Sequence, residues 1–430
     1  MAATCLVAGQ VIGIGIFLTP ADMARGLGAS GLVYAMWLLA GFMALAGALC
    51  YGELASRFPR AGGAYVYLRE AWGERVAFLY GWKCLLVMDP GLTAALAAGL
   101  AQYVAYLTPM GEGERKAVAV AILVIVATVT ALGTRLAAGS LVLMTALKGA
   151  VLAVIVVWGF ASGGALADRV LPSFSRYAGA PPLLPALAGG FVAAFFSFGG
   201  WWEMARMAGE VRDPRRTLPL AFVAGVTIVT AVYILTSAVF LGLVPPAEVG
   251  SADAFAAQAG ERLFGAAGGT VLALAVLVSG LGSLAAVMLG SPRVYVALAK
   301  DSLFPARLAA IHPRLGTPAA AIALQATLAS LLVVVGTFAD IVVYFVCVTV
   351  AFIAMSVAAL YRLPEAPAGG FKTPLRRITP AVFVGLCALL LVLLLLGKPV
   401  QALLGILVVA LGLPVYEGLR RAGILRAEAA

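Results

Sequence analysis

Charged side chains are scarce in this chain of 430 residues. Only 11% of the residues are Asp, Glu, Lys or Arg, whereas 63% are hydrophobic and the mean hydropathy is +1.06. A soluble globular protein carries about 25% charged residues, so the composition argues against a large soluble domain. Runs of about 20 apolar residues recur along the chain instead, and such runs are typical of helices that span a membrane.

Side chains suited to metal binding or catalysis are equally sparse. The single histidine, His312, lies in a basic loop, and the five cysteines lie inside apolar runs without metal-ligand spacing. We therefore expect no metal site, no cofactor and no enzyme active site, and the few scattered charges also disfavour a channel. The net charge of +10 is better explained by basic loops on one side of a membrane than by nucleic-acid binding.

Twelve apolar segments are predicted to span the membrane. Most of the 29 Lys and Arg residues fall on the side of the N-terminus, so we expect both termini in the cytoplasm of a cell (plasma or inner) membrane protein. The first segment lacks the basic flank and cleavage-type ending of a signal peptide, so it is interpreted as the first span. The two long outside connections, 162–186 and 244–266, are expected to be short interfacial helices and loops, so residues 1–430 are interpreted as one membrane domain. The predicted spans are 3–24, 30–56, 76–107, 117–135, 138–161, 187–209, 218–243, 267–298, 317–335, 339–361, 378–397 and 399–417.

Glycine interrupts the first and the sixth span near their middles. Gly13 and Gly15 lie within VAGQVIGIGIFLTPADM, and the sixth span contains the break Ser197-Phe198-Gly199-Gly200. Close helix packing is one explanation for a glycine in a membrane helix. Spans that are five apart have opposite orientations, however, as two inverted five-helix repeats require. Paired interrupted segments in corresponding positions indicate the binding site of a transporter.

The chemistry of an unwound helix explains why such breaks bind ligands. Backbone N–H and C=O groups at a break lose their intrahelical partners, and leaving them unpaired in hydrocarbon costs several kcal/mol each. The N–H groups at the start of a half-helix favour an anion, whereas freed carbonyl groups favour an ammonium group. The two breaks together match the carboxylate and the amine of an amino acid.

Four stretches of the chain carry the motifs of a known transporter family. VIGIGIFLTP is similar to the family's first-helix motif, although Ile14 replaces the usual serine. Residues 51–82 resemble the second-helix end, the following loop and the third-helix start. Residues 195–219 resemble the sixth helix and its loop, and residues 290–305 resemble the end of the eighth helix. The chain thus resembles the amino acid–polyamine–organocation (APC) superfamily, and within it the L-type amino acid transporter branch.

The resemblance implies an all-α membrane protein of twelve transmembrane helices with the 5+5 inverted-repeat (LeuT-like) fold and discontinuous first and sixth helices. Repeat one would cover about 3–161, repeat two about 187–361, and two additional helices about 378–417. The implied function is secondary active transport of L-amino acids by alternating access, through exchange or proton coupling. A cationic amino acid or polyamine transporter of the same fold, and a non-transporting amino acid sensor, are the alternatives.

Candidate substrate ligands lie at both breaks. The main-chain N–H groups of Gly13, Ile14 and Gly15 are expected to bind the carboxylate, and carbonyls near Gly199 the amine. Phe196 matches the aromatic gate of L-type transporters, with core packing as the alternative. The aromatic side chains here favour a neutral substrate side chain. The remaining substrate-binding candidates are Val11, Ser197, Phe198 and Trp202.

Lys148 lies in the middle of the fifth span, where a buried ammonium group suggests a function. It is about 15 Å from the inside end at 1.5 Å per residue, too far for its side chain to reach the interface. Its position matches the fifth-helix lysine of sodium-independent family members, in which the ammonium takes the place of a bound sodium ion and braces the first helix against the eighth. Ser279 and Ser283 are its candidate partners.

Three further charged residues have alternative interpretations. Asp89, before Pro90, could carry a proton or pair with a basic group. Glu203 could select a cationic substrate, sense pH or pair with Arg206 three residues later. Lys83 is expected to extend along its helix to the interface. Beyond an amino acid substrate, the bilayer and protons, no partner is indicated, and the oligomeric state is left open.

Overall fold

The computed structural model describes residues 2–60, 62–132, 134–161, 170–249, 254–304, 310–313, 316–364, 370–423 and 425. Within these ranges the regular secondary structure is entirely helical. Among the described residues, nine helices are long and apolar enough to cross a membrane, and the bent first pair makes a tenth. The fifth and ninth predicted spans contain shorter apolar helices by the same measure.

Each predicted span corresponds to helical structure. The spans, in order, are Ala2–Val11 with Gly15–Leu27; Ser30–Arg57; Glu74–Lys83, the π-helix Cys84–Met88 and Asp89–Leu107; Glu112–Leu132; Thr134–Ala161; Leu183–Phe198 with the 3₁₀-helix Trp201–Glu210; Pro214–Leu243; Ala266–Gly290 with Pro292–Lys300; Ala319–Val335; Phe338–Ala358; Ile378–Gly397; and Pro399–Ala410 with Gly412–Arg421.

The packing of the spans follows an inverted repeat. The first half of span one packs on span seven, and the first half of span six packs on span two. Span three contacts spans nine and ten, just as span eight contacts spans four and five. Short helices, Ala64–Trp72 and Phe255–Phe264, precede spans three and eight. When each span is replaced by its counterpart five positions away along the chain, one pairing becomes the other, which is the arrangement that two inverted repeats produce.

The connections between spans agree with expectation where the structure describes them. The predicted outside connection 244–266 contains the 3₁₀-helix Pro246–Glu248 and the helix Phe255–Phe264. In the connection 162–186, residues 162–169 lie outside the described residues. The π-helix Cys84–Met88 was not predicted. It widens the helix immediately before Asp89, and such π-turns occur frequently at functional sites.

Large apolar side chains cover the outer surfaces of many spans. Leu38 and Phe42 on the second span and Val157 and Trp158 on the fifth are each more than half exposed. A soluble monomer rarely exposes such continuous apolar surface. In a bilayer these side chains contact lipid, so the polar groups are left to line the interior.

Candidate functional site

The two helix breaks cross each other at close range. The first span bends by 45° between Val11 and Gly15. A Cβ atom on Gly15 would lie 2.8 Å from Ser197 Oγ and 2.9 Å from Ser197 Cα, and a Cβ atom on Gly200 would lie 2.8 Å from the carbonyl oxygen of Gln10. Gly200 also has a φ of +112°, which side chains disfavour. Glycine is therefore required at both crossing points, and the breaks predicted from the sequence are confirmed.

The first break presents main-chain donors. The Gly13 N–H turns back to the carbonyl oxygen of Val11 at 2.7 Å. The Gly13 N–H, which is expected from the sequence to bind a carboxylate, thus lies within a tight turn. Within the described part of the chain, the N–H groups of Ile14, Gly15 and Ile16 have no protein acceptor. They begin the half-helix Gly15–Leu27, where the helix dipole favours an anion.

Two hydroxyl groups hold the breaks together, and sequence reasoning did not identify either of them. The Tyr233 hydroxyl lies 2.9 Å from the carbonyl oxygens of both Val11 and Ser197. The Thr19 hydroxyl lies 2.7 Å from Ser197 Oγ. A tyrosine in the middle of an apolar span is a signal that could have indicated such a contact, because a buried hydroxyl usually has a partner.

A cavity of about 250 Å³ lies beside the breaks. It is lined by both halves of the first and sixth spans and by spans three, five, eight and ten. Most of the predicted site residues line it, and they come from five different spans. They are Val11, Gly13, Ile14, Gly15, Asp89, Lys148, Phe196, Ser197, Gly199, Trp202, Glu203 and Ser283.

Two predicted residues do not line this cavity. Phe198 packs against Trp37 and Tyr233 behind the break. It follows Phe196 by two residues, and two positions rotate a side chain by about 200° around a helix, so the two rings point to opposite faces. The hydroxyl of Ser279 has no partner among the described residues, because Lys148 contacts Ser283 one turn further on.

Phe196 contacts aromatic residues of the tenth span. Its ring packs edge to face on Phe338 at 5.6 Å between centroids, and on Phe345 at 6.1 Å. Phe338 also lines a second cavity of about 400 Å³, which contains the charged side chains of Arg25 and Lys116. The contact between Phe196 and Phe338 therefore joins a residue that lines the first cavity to a residue that lines the second.

Lys148 connects the fifth span to the eighth. Its side chain is buried, with 4% of the residue exposed. Its Nζ donates a hydrogen bond to Ser283 Oγ at 2.5 Å. Both residues line the cavity next to the first break. The ammonium group is thus available beside the same break that presents the free N–H groups.

A cluster of buried charges lies elsewhere on the cavity wall. Glu203 pairs with Arg206 at 2.8 Å, which confirms the ion pair that their spacing allows. Arg206 Nη2 lies 3.5 Å from the Tyr80 hydroxyl of the third span. Asp89 accepts a hydrogen bond from the Tyr295 hydroxyl on the eighth span. The cluster thus joins the second half of the sixth span to the spans on which it packs.

Lys83 does not reach the membrane interface as expected. Only 1% of it is exposed, and its Nζ lies 2.9 Å from Met88 Sδ. The ammonium also lies 4.8 Å from the centroid of the Tyr80 ring and 5.8 Å from that of Phe352. The lysine side chain curls along the π-turn and over aromatic faces, where cation–π attraction replaces part of its lost hydration.

Comparisons with known proteins show the family of the chain. A family model for amino acid permeases matches residues 1–411. The chain is 28% identical to the serine/threonine exchanger SteT of Bacillus subtilis, over 97% of this chain and 95% of that protein. It is 27% identical to human large neutral amino acids transporter small subunit 2, over 97% and 79%, and 29% identical to rabbit b(0,+)-type amino acid transporter 1, over 83% and 73%.

These relatives are membrane transporters and not enzymes. The family match covers nearly the whole chain, including both broken spans, and the fold it implies has twelve membrane helices. A multi-pass membrane protein of this kind moves amino acids across a membrane. The chain is therefore a member of the amino acid permease family, within the APC superfamily.

Proposed function

We propose that the protein is a sodium-independent secondary transporter of neutral L-amino acids that works by alternating access at a cell membrane, with both termini in the cytoplasm. The observation that carries the proposal is the crossing of the two breaks beside a cavity. Three N–H groups there, on Ile14, Gly15 and Ile16, have no protein acceptor among the described residues. An amino acid carboxylate is the anion that these groups would bind.

The amine end of the substrate is assigned to the sixth break. Carbonyl groups near Gly199 accept hydrogen bonds without carrying charge, and Gly199 lines the cavity. Ile14 provides no hydroxyl where a serine is usual, so recognition of the carboxylate depends on the backbone. This arrangement binds the carboxylate and the amine, which all α-amino acids share. Selection among amino acids then depends on the residues around the substrate side chain.

The side-chain end of the cavity favours a neutral substrate. Trp202 and Phe345 line it, and the one acid from the sixth span, Glu203, is paired with Arg206. Glu203 is therefore not available to a cationic amino acid or polyamine, because its charge is already compensated by Arg206. Two relatives, a serine/threonine exchanger and a large neutral amino acids transporter, support the same choice.

Alternating access requires a closure on each side of the site. Phe196 and Phe338 form the outer closure, and Lys148 with Ser283 braces the first break where a sodium ion would otherwise act. The first and sixth spans then move against the remaining spans around a fixed site. Sodium independence follows because the ammonium group of Lys148 supplies positive charge beside the first break without a bound ion.

Counterflow in proteoliposomes tests this function. Vesicles preloaded with unlabelled L-serine or L-leucine should take up the same labelled amino acid saturably, and equally well in sodium and choline buffers. D-serine and putrescine serve as controls that should not drive uptake. Binding of an amino acid without counterflow would favour the sensor, and a strict sodium requirement would contradict the assignment of Lys148.

A further inference from the structure

Asp89 is a carboxylic acid that has no ionic partner among the described residues of the membrane domain. Only 1% of the residue is exposed, yet it lines the cavity. Its Oδ2 accepts a hydrogen bond from the neutral hydroxyl of Tyr295, and no described cation lies within 4 Å of it. An isolated carboxylate in such surroundings is costly unless it is neutralised.

The other buried acids of the described spans are compensated. Glu203 pairs with Arg206 at 2.8 Å. Glu53, fully buried at the end of the second span, pairs with Arg57. Each of these carboxylates has an arginine that stays protonated at all physiological pH values. Asp89 is thus the buried acid, among those described, whose neutral partner allows it to gain and lose a proton.

Several ionisable groups surround Asp89. On its own span these are Lys83 and Cys84, and the sixth span contributes Glu203 and Arg206. Tyr295 faces it from the eighth span, and Tyr80 adjoins Arg206 and Cys84.

The charges of this set are balanced when Asp89 is ionised. Glu203 and Arg206 form a neutral pair, so Lys83 and Asp89 are the two groups left. The ninth and tenth spans contribute the uncharged Gln325 and Thr349; the Gln325 amide lies 3.4 Å from the Asp89 carbonyl oxygen, and Thr349 lines the cavity. Protonation of Asp89 therefore changes the net charge of the cluster from zero to +1.

We propose that Asp89 is a proton-binding site that couples amino acid uptake to the proton gradient, an inference that rests on the proposed transport function. A proton from water in the cavity binds a carboxylate oxygen of Asp89, and the resulting carboxylic acid releases it on the other side of the membrane. One proton accompanies each zwitterionic substrate, so each turnover carries one positive charge inward.

The position of Asp89 explains how protonation would affect movement. Asp89 belongs to the third span, whereas Arg206 belongs to the second half of the sixth span, which moves in alternating access. Arg206 also contacts the Tyr80 hydroxyl and Cys84 Sγ of the third span, at 3.5 and 3.8 Å. A proton on Asp89 removes its attraction for Arg206, so the moving half-helix separates more readily from the third span.

Gradient-driven uptake in proteoliposomes tests the coupling. Vesicles without internal amino acid, placed in a more acidic medium, should accumulate labelled L-serine or L-leucine, whichever shows counterflow. A gradient of about one pH unit supports up to about tenfold accumulation, since 1.4 kcal/mol corresponds to a factor of ten. A protonophore should abolish it. Counterflow without any response to the gradient would overturn the proton site while leaving transport intact, whereas absent counterflow would overturn transport itself.

Asp89→Asn tests the residue. This variant should retain counterflow and lose gradient-driven accumulation. Asp301→Asn is the matched control, because Asp301 also accepts a hydrogen bond from a tyrosine hydroxyl, at 2.5 Å from Tyr65, but it pairs with Arg69 at 2.7 Å. It should keep the full response to the gradient. Normal accumulation by Asp89→Asn would overturn the assignment.

Tyr295→Phe keeps the test valid if Asp89→Asn does not fold. This variant removes the hydroxyl donor of Asp89 and leaves the carboxyl group in place. It should change the external pH at which uptake is half-maximal, and Asp301→Asn should not. An unchanged pH profile in a folded Tyr295→Phe protein would show that Asp89 is not the group that titrates.

Discussion

The first and sixth spans are broken at corresponding positions, but the two breaks differ in chemistry. The first break leaves Ile12–Ile14 outside the helix and continues as an α-helix from Gly15, so it presents main-chain N–H groups. The sixth break is only Gly199 and Gly200, and it continues as the 3₁₀-helix Trp201–Glu210. Its proposed contribution is main-chain carbonyl groups near Gly199, together with side chains such as Trp202 that line the cavity. The inverted repeat therefore places a helix break at the same position in both spans, and the local sequence determines which groups each break presents to the cavity.

The largest expected effect is a loss of uptake that differs between the two glycines of the first break. In Gly15→Ala the new methyl group would meet the backbone of Ser197 at 2.9 Å, whereas in Gly13→Ala the nearest neighbour is 3.8 Å away. Overpacking of about 1–3 kcal/mol should reduce uptake by Gly15→Ala by roughly 10- to 100-fold. Gly13→Ala should keep most uptake. Labelled amino acid uptake at equal protein amount measures both, and equal losses would contradict the crossing geometry.

The next effect concerns the sixth break. Gly200→Ala places a side chain at a φ of +112° and 2.8 Å from the Gln10 carbonyl oxygen, so strain of about 1–3 kcal/mol is expected. The thermal unfolding midpoint in detergent should fall, and uptake should fall about tenfold. Gly189→Ala is the control, since nothing lies within 4 Å of its added methyl group. A thermally unchanged Gly200→Ala protein would argue against the contact between the breaks.

A smaller effect is expected from removing the Tyr233 hydroxyl, which contacts both breaks. Tyr233→Phe removes the donor next to the buried carbonyl oxygens of Val11 and Ser197, which costs about 1–3 kcal/mol. We expect kcat/KM for uptake to fall by roughly 5- to 50-fold, with protein amount unchanged. Tyr106→Phe, which removes an exposed bond to Glu261, should have little effect. Similar kinetics for both variants would mean that Tyr233 only fills space.

The smallest effect is expected at the direct bond between the two half-helices. Thr19→Val removes the hydroxyl that lies 2.7 Å from Ser197 Oγ, a loss of about 0.5–1.5 kcal/mol. The KM for uptake should rise about 2- to 10-fold. Thr227→Val is the matched control. The Thr19 and Thr227 hydroxyls each donate a hydrogen bond to the carbonyl oxygen four residues earlier, at 3.0 and 2.9 Å, but Thr227 is exposed on the seventh span. If both variants raise KM alike, the bond to Ser197 has no special importance.

The sequence by itself determined the features that depend on local pattern. Apolar runs of sufficient length predict the spans, because a helix is the structure that satisfies its backbone within one segment of hydrocarbon. Glycine in the middle of two spans predicts the breaks. The spacing of Glu203 and Arg206 predicts their ion pair, since residues three apart are neighbours on a helix.

Only the tertiary structure decided which groups face the cavity and which are already paired. The rotation of a helix about its axis is set by packing, and it turns Phe198 away while Trp202 faces the cavity. The bonds from Tyr233 to Val11 and from Tyr295 to Asp89 join residues more than 200 positions apart. Such contacts have no local periodicity. They arise because each buried polar group takes its partner from whichever span the fold brings alongside it.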